Sequence, residues 1–382
     1  MDRKGDISLQ SALAPRLATT RKSSFVVHGT ASTPVQKWFV DGVERELLRK
    51  GHPQPQDGST PELVINLLDP DRARPFRRNS QGTFVVSIVR VDEEPENVLR
   101  AAYPLLVRSI SQLLVYIVDT VDGVKAHFIT LEQGYSTISP PDGDAGAFFA
   151  EVYQRLAPLA STRLVVNNIF QPDLPPHLWE GTESTAELYE AGRWLDRMGL
   201  LPAAFPITEI LDERDMAHVR RLFGIGGLSY GNLSVRHDAD TFWMSARGVN
   251  KGNLREIGRD ILLIKDYLPE EDAMVLSVPP NVEPRAASVD AIEHYMLYKE
   301  HPSIGAIVHV HAWMDGIDST HINYPCGTYE LAYEVAQLAR RQPNPGRAVI
   351  GLKNHGLTVT GSSLQDIIER IDGRLLPTVP MT

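Results

Sequence analysis

The chain has a single cysteine, Cys326, in 382 residues. One thiol excludes an internal disulfide framework and a thiolate metal cage, so any bound metal must rest on histidine or carboxylate ligands. No apolar run approaches the roughly 20 residues needed to cross a bilayer, which argues against a membrane role. The opening stretch MDRKGDISLQSALAPRL lacks the continuous apolar segment of a secretory signal, and a cytoplasmic location is expected. Positive charge is in deficit, with 38 Lys and Arg against 48 Asp and Glu and a net charge of -10. That balance disfavours a dedicated nucleic-acid binder, which neutralises phosphates with clustered cations. The one basic crowd, Arg72, Arg74, Arg77 and Arg78, lies in a Pro-containing stretch beside Asp69 and Asp71 and reads as a solvated loop. Phosphate loops are missing too. Lys353 is in the wrong setting for a Walker lysine, and GIGGLSYG at 224–231 lacks the strand, spacing and downstream acid of a dinucleotide site.

With 42% hydrophobic and 23% charged residues the composition is that of a globular chain, and the length suggests two domains. Residues 1–22 are polar and aperiodic, as in a mobile arm. From 23 to 180, apolar strand-like runs (SFVVHG, ELVINLLD, TFVVSIVRV, QLLVYIVD, KAHFITLEQG, TRLVVNNIF) are interspersed with helical patterns, as in a separate N-terminal α/β domain. Its role is not legible. Asp119 and His127 beside its strands read as structural groups. The Pro-rich stretch PDLPPHLWEGTES marks a boundary region, residues 181–204 read as a linker with a helix, and 205–382 forms a second domain.

Chemistry concentrates in that second domain. In AIVHVHAW the run Ala306, Ile307, Val308 reads as a buried strand, and period-two alternation places His309 and His311 on one face of it. A second apolar run from Val349 breaks at Asn354, His355 and Gly356, so a third imidazole stands at a strand end. Three neutral imidazoles with an open position suit a catalytic zinc or a similar divalent ion, although an HxH alone also fits two satisfied or surface histidines. An amphipathic helix led by Asp290 and ending near His301-Pro302 precedes the metal strand. Asp290 is thus either a site residue or a helix cap.

The combination of Ser229, Gly231, Asn232, Ser234 and Arg236 in S-x-G-N-x-S-x-R, P-S-I-G-A-I-V-H-V-H at 302–311, and Asn354-His355-Gly356 resembles the class II aldolase/adducin family over residues 205–372. The resemblance implies an α/β domain with a central, mainly antiparallel sheet. It also implies a homo-oligomer with sites between subunits and a small carbonyl substrate such as a sugar phosphate or keto acid. His309, His311 and His355 would then bind zinc, or alternatively manganese, cobalt or iron(II). Asp290 matches the family's catalytic carboxylate, which is aspartate in the sugar-phosphate 4-epimerase branch and glutamate in the aldolases. Gly231, Asn232, Arg247, Gly248 and Ser288 match its substrate-binding positions. Arg247 stands where that branch carries a hydroxyl residue, and a guanidinium there favours a carboxylate or a phosphate.

Only 43 residues separate His311 from His355, fewer than the family usually has. Asp315, Asp318, His321, Tyr324 and Cys326 in this interval read as loop residues. The implied activity is a metal-dependent aldehyde lyase working through an enediolate. Alternatives with the same metal site are an epimerase, a decarboxylase or a dehydratase. A non-catalytic adducin-like scaffold is the alternative without chemistry.

Overall fold

The computed structural model describes residues 21–56, 58–121, 123–131, 135–140, 144–201, 207–223 and 229–380. The first 20 residues and most of the Gly-rich run at 224–231 therefore lie outside the described residues.

Two sheets organise the chain. The first has six strands in sequential order: β1 (Phe25–His28), β2 (Leu63–Leu67), β3 (Phe84–Val91), β4 (Leu113–Thr120), β5 (Gly123–Thr130) and β6 (Tyr135–Ile138). Strands β1 to β4 pair in parallel and β5 and β6 close the sheet antiparallel. The near-continuous Val and Ile of β3 and β4 suit strands buried on both faces. One face is covered by α1 (Pro34–Arg49) and α3 (Ala145–Ala160), whose Phe39 and Phe149 join its core. Thr33 caps α1 by accepting from the Gln36 amide, and Pro34 presets its first turn. At Gly42 a Cβ would lie 2.0 Å from the Phe149 ring, so only glycine lets α1 and α3 close to this distance. The other face carries α2 (Val98–Ser109).

The second sheet runs in the order β13-β14-β12-β8-β9-β10-β11-β7. Its strands are β7 (Asn167–Gln171), β8 (Asn232–Arg236), β9 (Phe242–Ser245), β10 (Ile261–Leu268), β11 (Ala273–Ser277), β12 (Ala306–Val310), β13 (Val349–Leu352) and β14 (Gly356–Gly361). Every pairing is antiparallel except β7 with β11, giving the mainly antiparallel sheet that the motifs imply. Helices α4 (Glu183–Arg197), α7 (Ala291–Glu300), α8 (Tyr329–Arg341) and α9 (Leu364–Ile371) pack around it into one core with Trp243 and Ile307.

Two segments cross between the sheets. Strand β7, whose sequence continues the apolar series of the first 180 residues, pairs in the second sheet, where β11 offers an edge for parallel addition. In the other direction, α5 (Ile207–Ile210) and α6 (Glu213–Phe223) pack on α2 of the first body. Asp215 of α6 accepts two hydrogen bonds from Arg108, at 2.9 and 2.7 Å. This bidentate pair ties α6 to α2 on the face of the first sheet.

Candidate metal centre

Three neighbouring strands of the second sheet build the site. On β12, His309 stands in register with Asn232 of β8 and Thr358 of β14. The strand ends at Val310, one residue earlier than strict alternation through the HxH suggests, and His311 occupies the following bend. His355 sits in the turn from β13 to β14, beside Asn354 in the left-handed region with φ 58°. The backbones approach closely here. A Cβ on Gly231 would lie 2.3 Å from the His309 carbonyl oxygen, and one on Gly356 2.3 Å from that of Val310. Gly231, expected from sequence to touch substrate, is thus required by strand packing as well as by its φ of 69°.

The three imidazoles converge. One ligand atom from each lies within 4.8 Å of the others, and their ring centroids are 4.7 to 5.2 Å apart. His309 Nδ1 donates to the Leu357 carbonyl at 3.1 Å, which fixes the tautomer and leaves Nε2 as a lone-pair donor. That Nε2 is buried with no hydrogen-bond partner. The Nε2 atoms of His311 and His355 face each other at 3.1 Å, a contact that calls for a shared proton or a cation between them. Cys326 Sγ lies 3.3 Å from His355 Nε2, so this cysteine borders the cluster. An inward set of buried nitrogen donors fits a borderline divalent ion.

Burial holds all three imidazoles below the usual histidine range, and for His311 and His355 the neighbouring histidines add to it. His294 behind them is pushed down to about 3, again mainly by burial. Its Nδ1 lies 2.7 Å from the Ser234 hydroxyl, which is also 2.8 Å from the Tyr298 hydroxyl. A histidine whose folded value is depressed resists protonation until the chain unfolds. Its stability contribution is therefore complete above the unfolded value of 6.5 and is lost as pH falls below it. The metal-free protein should accordingly lose thermal stability steadily from pH 6.5 to 5, as measured by its unfolding temperature. An unfolding temperature constant across that interval would contradict a neutral imidazole cluster.

Asp290 heads α7 but its side chain makes no capping bond. Instead Oδ2 accepts from Asn232 Nδ2 at 2.7 Å, while Oδ1 is buried without a partner. Asn232 also donates to Ser288 Oγ at 3.1 Å and is itself 1% exposed, so its amide is committed to holding Asp290 and Ser288. Asn232 and His309 lie behind the wall. Gly231, Arg247, Gly248, Ser288, Asp290, His311 and His355 all line one cavity of about 1780 Å³. Burial lowers the Arg247 guanidinium, and Asp290 opposes that shift.

Sequence reasoning missed two groups here. Lys251 is 4% exposed, lines the same cavity and donates to the Ser229 carbonyl at 2.8 Å. Burial pushes its ammonium down to about 8, with Asp290 pulling the other way. Glu293 is wholly enclosed and accepts from the Thr358 hydroxyl at 2.5 Å; burial, reinforced by Asp290, pushes it up to about 8. Neither carries a local signal, because a lysine after a turn and a glutamate in a helix both read as solvated. Of the loop residues, His321, Tyr324 and Cys326 line the cavity, whereas the Asp318 carboxylate accepts from Gln342. Asp119 pairs with Arg90, and His127 bonds Thr137 within the first sheet.

Residues 215–314 match the model of the class II aldolase and adducin N-terminal domain. The match takes in Asp290, His309 and His311 but stops before His355, which the fold brings to them. Over 107 residues the chain is 31% identical to methylthioribulose-1-phosphate dehydratase of Leptospira biflexa, covering 28% of this chain and 45% of that protein. The chain thus spans less than half the length of that relative. It is 24% identical over 186 residues to 3-oxo-tetronate 4-phosphate decarboxylase of Haemophilus influenzae, covering 43% of this chain and 81% of the relative. Among solved structures, YgbL of Escherichia coli aligns with a TM-score of 0.33 and 18% identity over 49% of this chain and 82% of its own. No helix of the described residues is long and apolar enough to cross a membrane.

Proposed function

We propose that this chain, whose residues 215–314 carry a class II aldolase and adducin N-terminal domain, is a metal-dependent lyase that moves a proton at the carbon beside a substrate carbonyl. The observation that carries the reading is the convergence of three imidazoles, His311 and His355 on a cavity wall and His309 behind it, near the free Oδ1 of Asp290. The names of both relatives support lyase chemistry on phosphorylated substrates, one a dehydratase and the other a decarboxylase.

His309, His311 and His355 would hold the ion, zinc or another borderline metal, and it would supply a Lewis acid to the substrate oxygen on which negative charge develops. Neutral ligands leave that ion its full charge. The protein's own groups do the rest. Asp290 keeps one oxygen anchored by Asn232 and presents the other as proton acceptor. With Glu293 raised to about 8, this neighbour adds little negative charge beside the Asp290 carboxylate near neutral pH. Lys251 offsets the carboxylate's charge from the cavity wall and can return a proton.

Cleavage of a carbon-carbon bond with aldehyde release is the first reaction to seek, and dehydration and decarboxylation the next. All three move a proton at the carbon beside the carbonyl, dehydration by removing it first and the two cleavages by delivering it after the carbon-carbon bond has broken. Metal-loaded protein incubated in D₂O with ketose phosphates and 2-keto acids should exchange the hydrogen beside the carbonyl, followed by proton NMR, and His311→Ala should abolish the exchange. A fully loaded protein that neither exchanges nor converts any of them would overturn the reading in favour of a scaffold role.

A further inference from the structure

The cavity that has His311 and His355 on its lining is also bordered by the first sheet and its loops, whose Arg78, Phe84, Gln112 and Thr130 line it together with the end of α3. Its charge opposes that of the protein. Among the described lining residues there are eight lysines and arginines against two carboxylates, Asp290 and Glu330, in a chain of net charge -10. A cleft lined by one sign of charge concentrates ions of the other.

Arg78 is the informative member. The sequence places it in a solvated basic loop, yet its guanidinium is held against the sheet. Nη2 donates to the Ile110 carbonyl and, at 3.0 Å, to Gln112 Oε1. Gln112 Oε1 also accepts from the Val85 amide at 2.8 Å. This fixes the orientation of the Gln112 side chain and leaves its Nε2 as a donor. Ser80 Oγ accepts from the Gly82 amide at 3.1 Å, which leaves its own proton to donate. No carboxylate among the described residues pairs with Arg78, and burial lowers its guanidinium to about 10. Arg78, Gln112 and Ser80 thus present unused donors on one stretch of cavity wall. Such a donor set, with a guanidinium locked along one edge, matches an oxyanion.

We infer that Arg78, with Gln112 and Ser80, binds an oxyanion tail of the substrate, phosphate or carboxylate, so that the first sheet completes the site whose metal triad belongs to the second. The link to the substrate rests on the lyase reading; the anion site itself does not. Isothermal titration of the full metal-free chain with inorganic phosphate, and separately with malonate, tests it without a metal to which either anion could bind.

The wild type should show one saturable site, and the tighter of the two anions identifies the tail. Arg78→Gln should weaken binding at least tenfold, Arg78→Lys less, and Arg45→Gln, at an exposed position on α1, not at all. Gln112→Glu places a carboxylate beside Arg78 and should abolish binding even if Arg78→Gln fails to fold. Absence of saturable binding to the wild type, or unchanged binding in Gln112→Glu, would overturn the inference.

Discussion

Asp290→Asn should lower turnover by roughly 10²–10⁴-fold while leaving metal content unchanged. The amide nearly matches the carboxylate in size. Asn232 can still be met by the Oδ1 of the new asparagine, so the local packing of α7 and β8 should survive. What disappears is the charge on the oxygen that has no partner in the fold. A free, buried carboxylate oxygen is costly to maintain, and its position in the cavity with the triad makes it the group to test for proton transfer. The discriminating readout is kcat measured together with metal content. Loss of kcat with full metal content places Asp290 in the chemistry. Unchanged kcat would reduce it to a helix-capping position that does not cap.

His355→Ala should be the most damaging change to metal binding, with affinity falling well beyond the roughly 10–100-fold typical of outer partners of a metal ligand. His355 alone comes from the β13–β14 turn, so the variant leaves one imidazole on β12 and one just after it, and no closure from the opposite side. Stability reports the same loss. A metal that binds only the folded chain stabilises it by about 2.7 kcal/mol when free metal is about 100 times Kd, and this increment should vanish in His355→Ala. A variant that keeps the metal-dependent rise in unfolding temperature would move the ion elsewhere.

Much of this site is legible in the amino-acid sequence because it depends on local periodicity. The HxH, the helix led by Asp290 and the NHG turn each announce their element within about ten residues, and strand pairing then brings them together. The Asp290 side chain is a partial exception. The same pattern fits a cap, and the outcome is decided by Asn232, 58 positions away in sequence.

What could not be read depends on distant burial. Lys251 is enclosed because α4 packs over it: at Gly192 a Cβ would lie 2.0 Å from the Lys251 carbonyl oxygen, so the helix rests directly on this backbone. Arg78 reads as one of four loop arginines, and only the carbonyl at the end of α2 and the Gln112 amide distinguish it. Strand β7 follows the apolar run Leu164–Val166, and nothing local tells that β11 will take it. The family match likewise stops at residue 314, leaving the third histidine to be placed by the fold.

The central claim is a metal centre on His309, His311 and His355. Elemental analysis of the purified, metal-reconstituted chain beside His309→Ala and His355→Ala tests it most directly. The account predicts about one divalent ion per chain in the wild type and almost none in either variant, with both variants still folded. A wild type that retains no metal after reconstitution, or variants that retain it in full, would contradict the account.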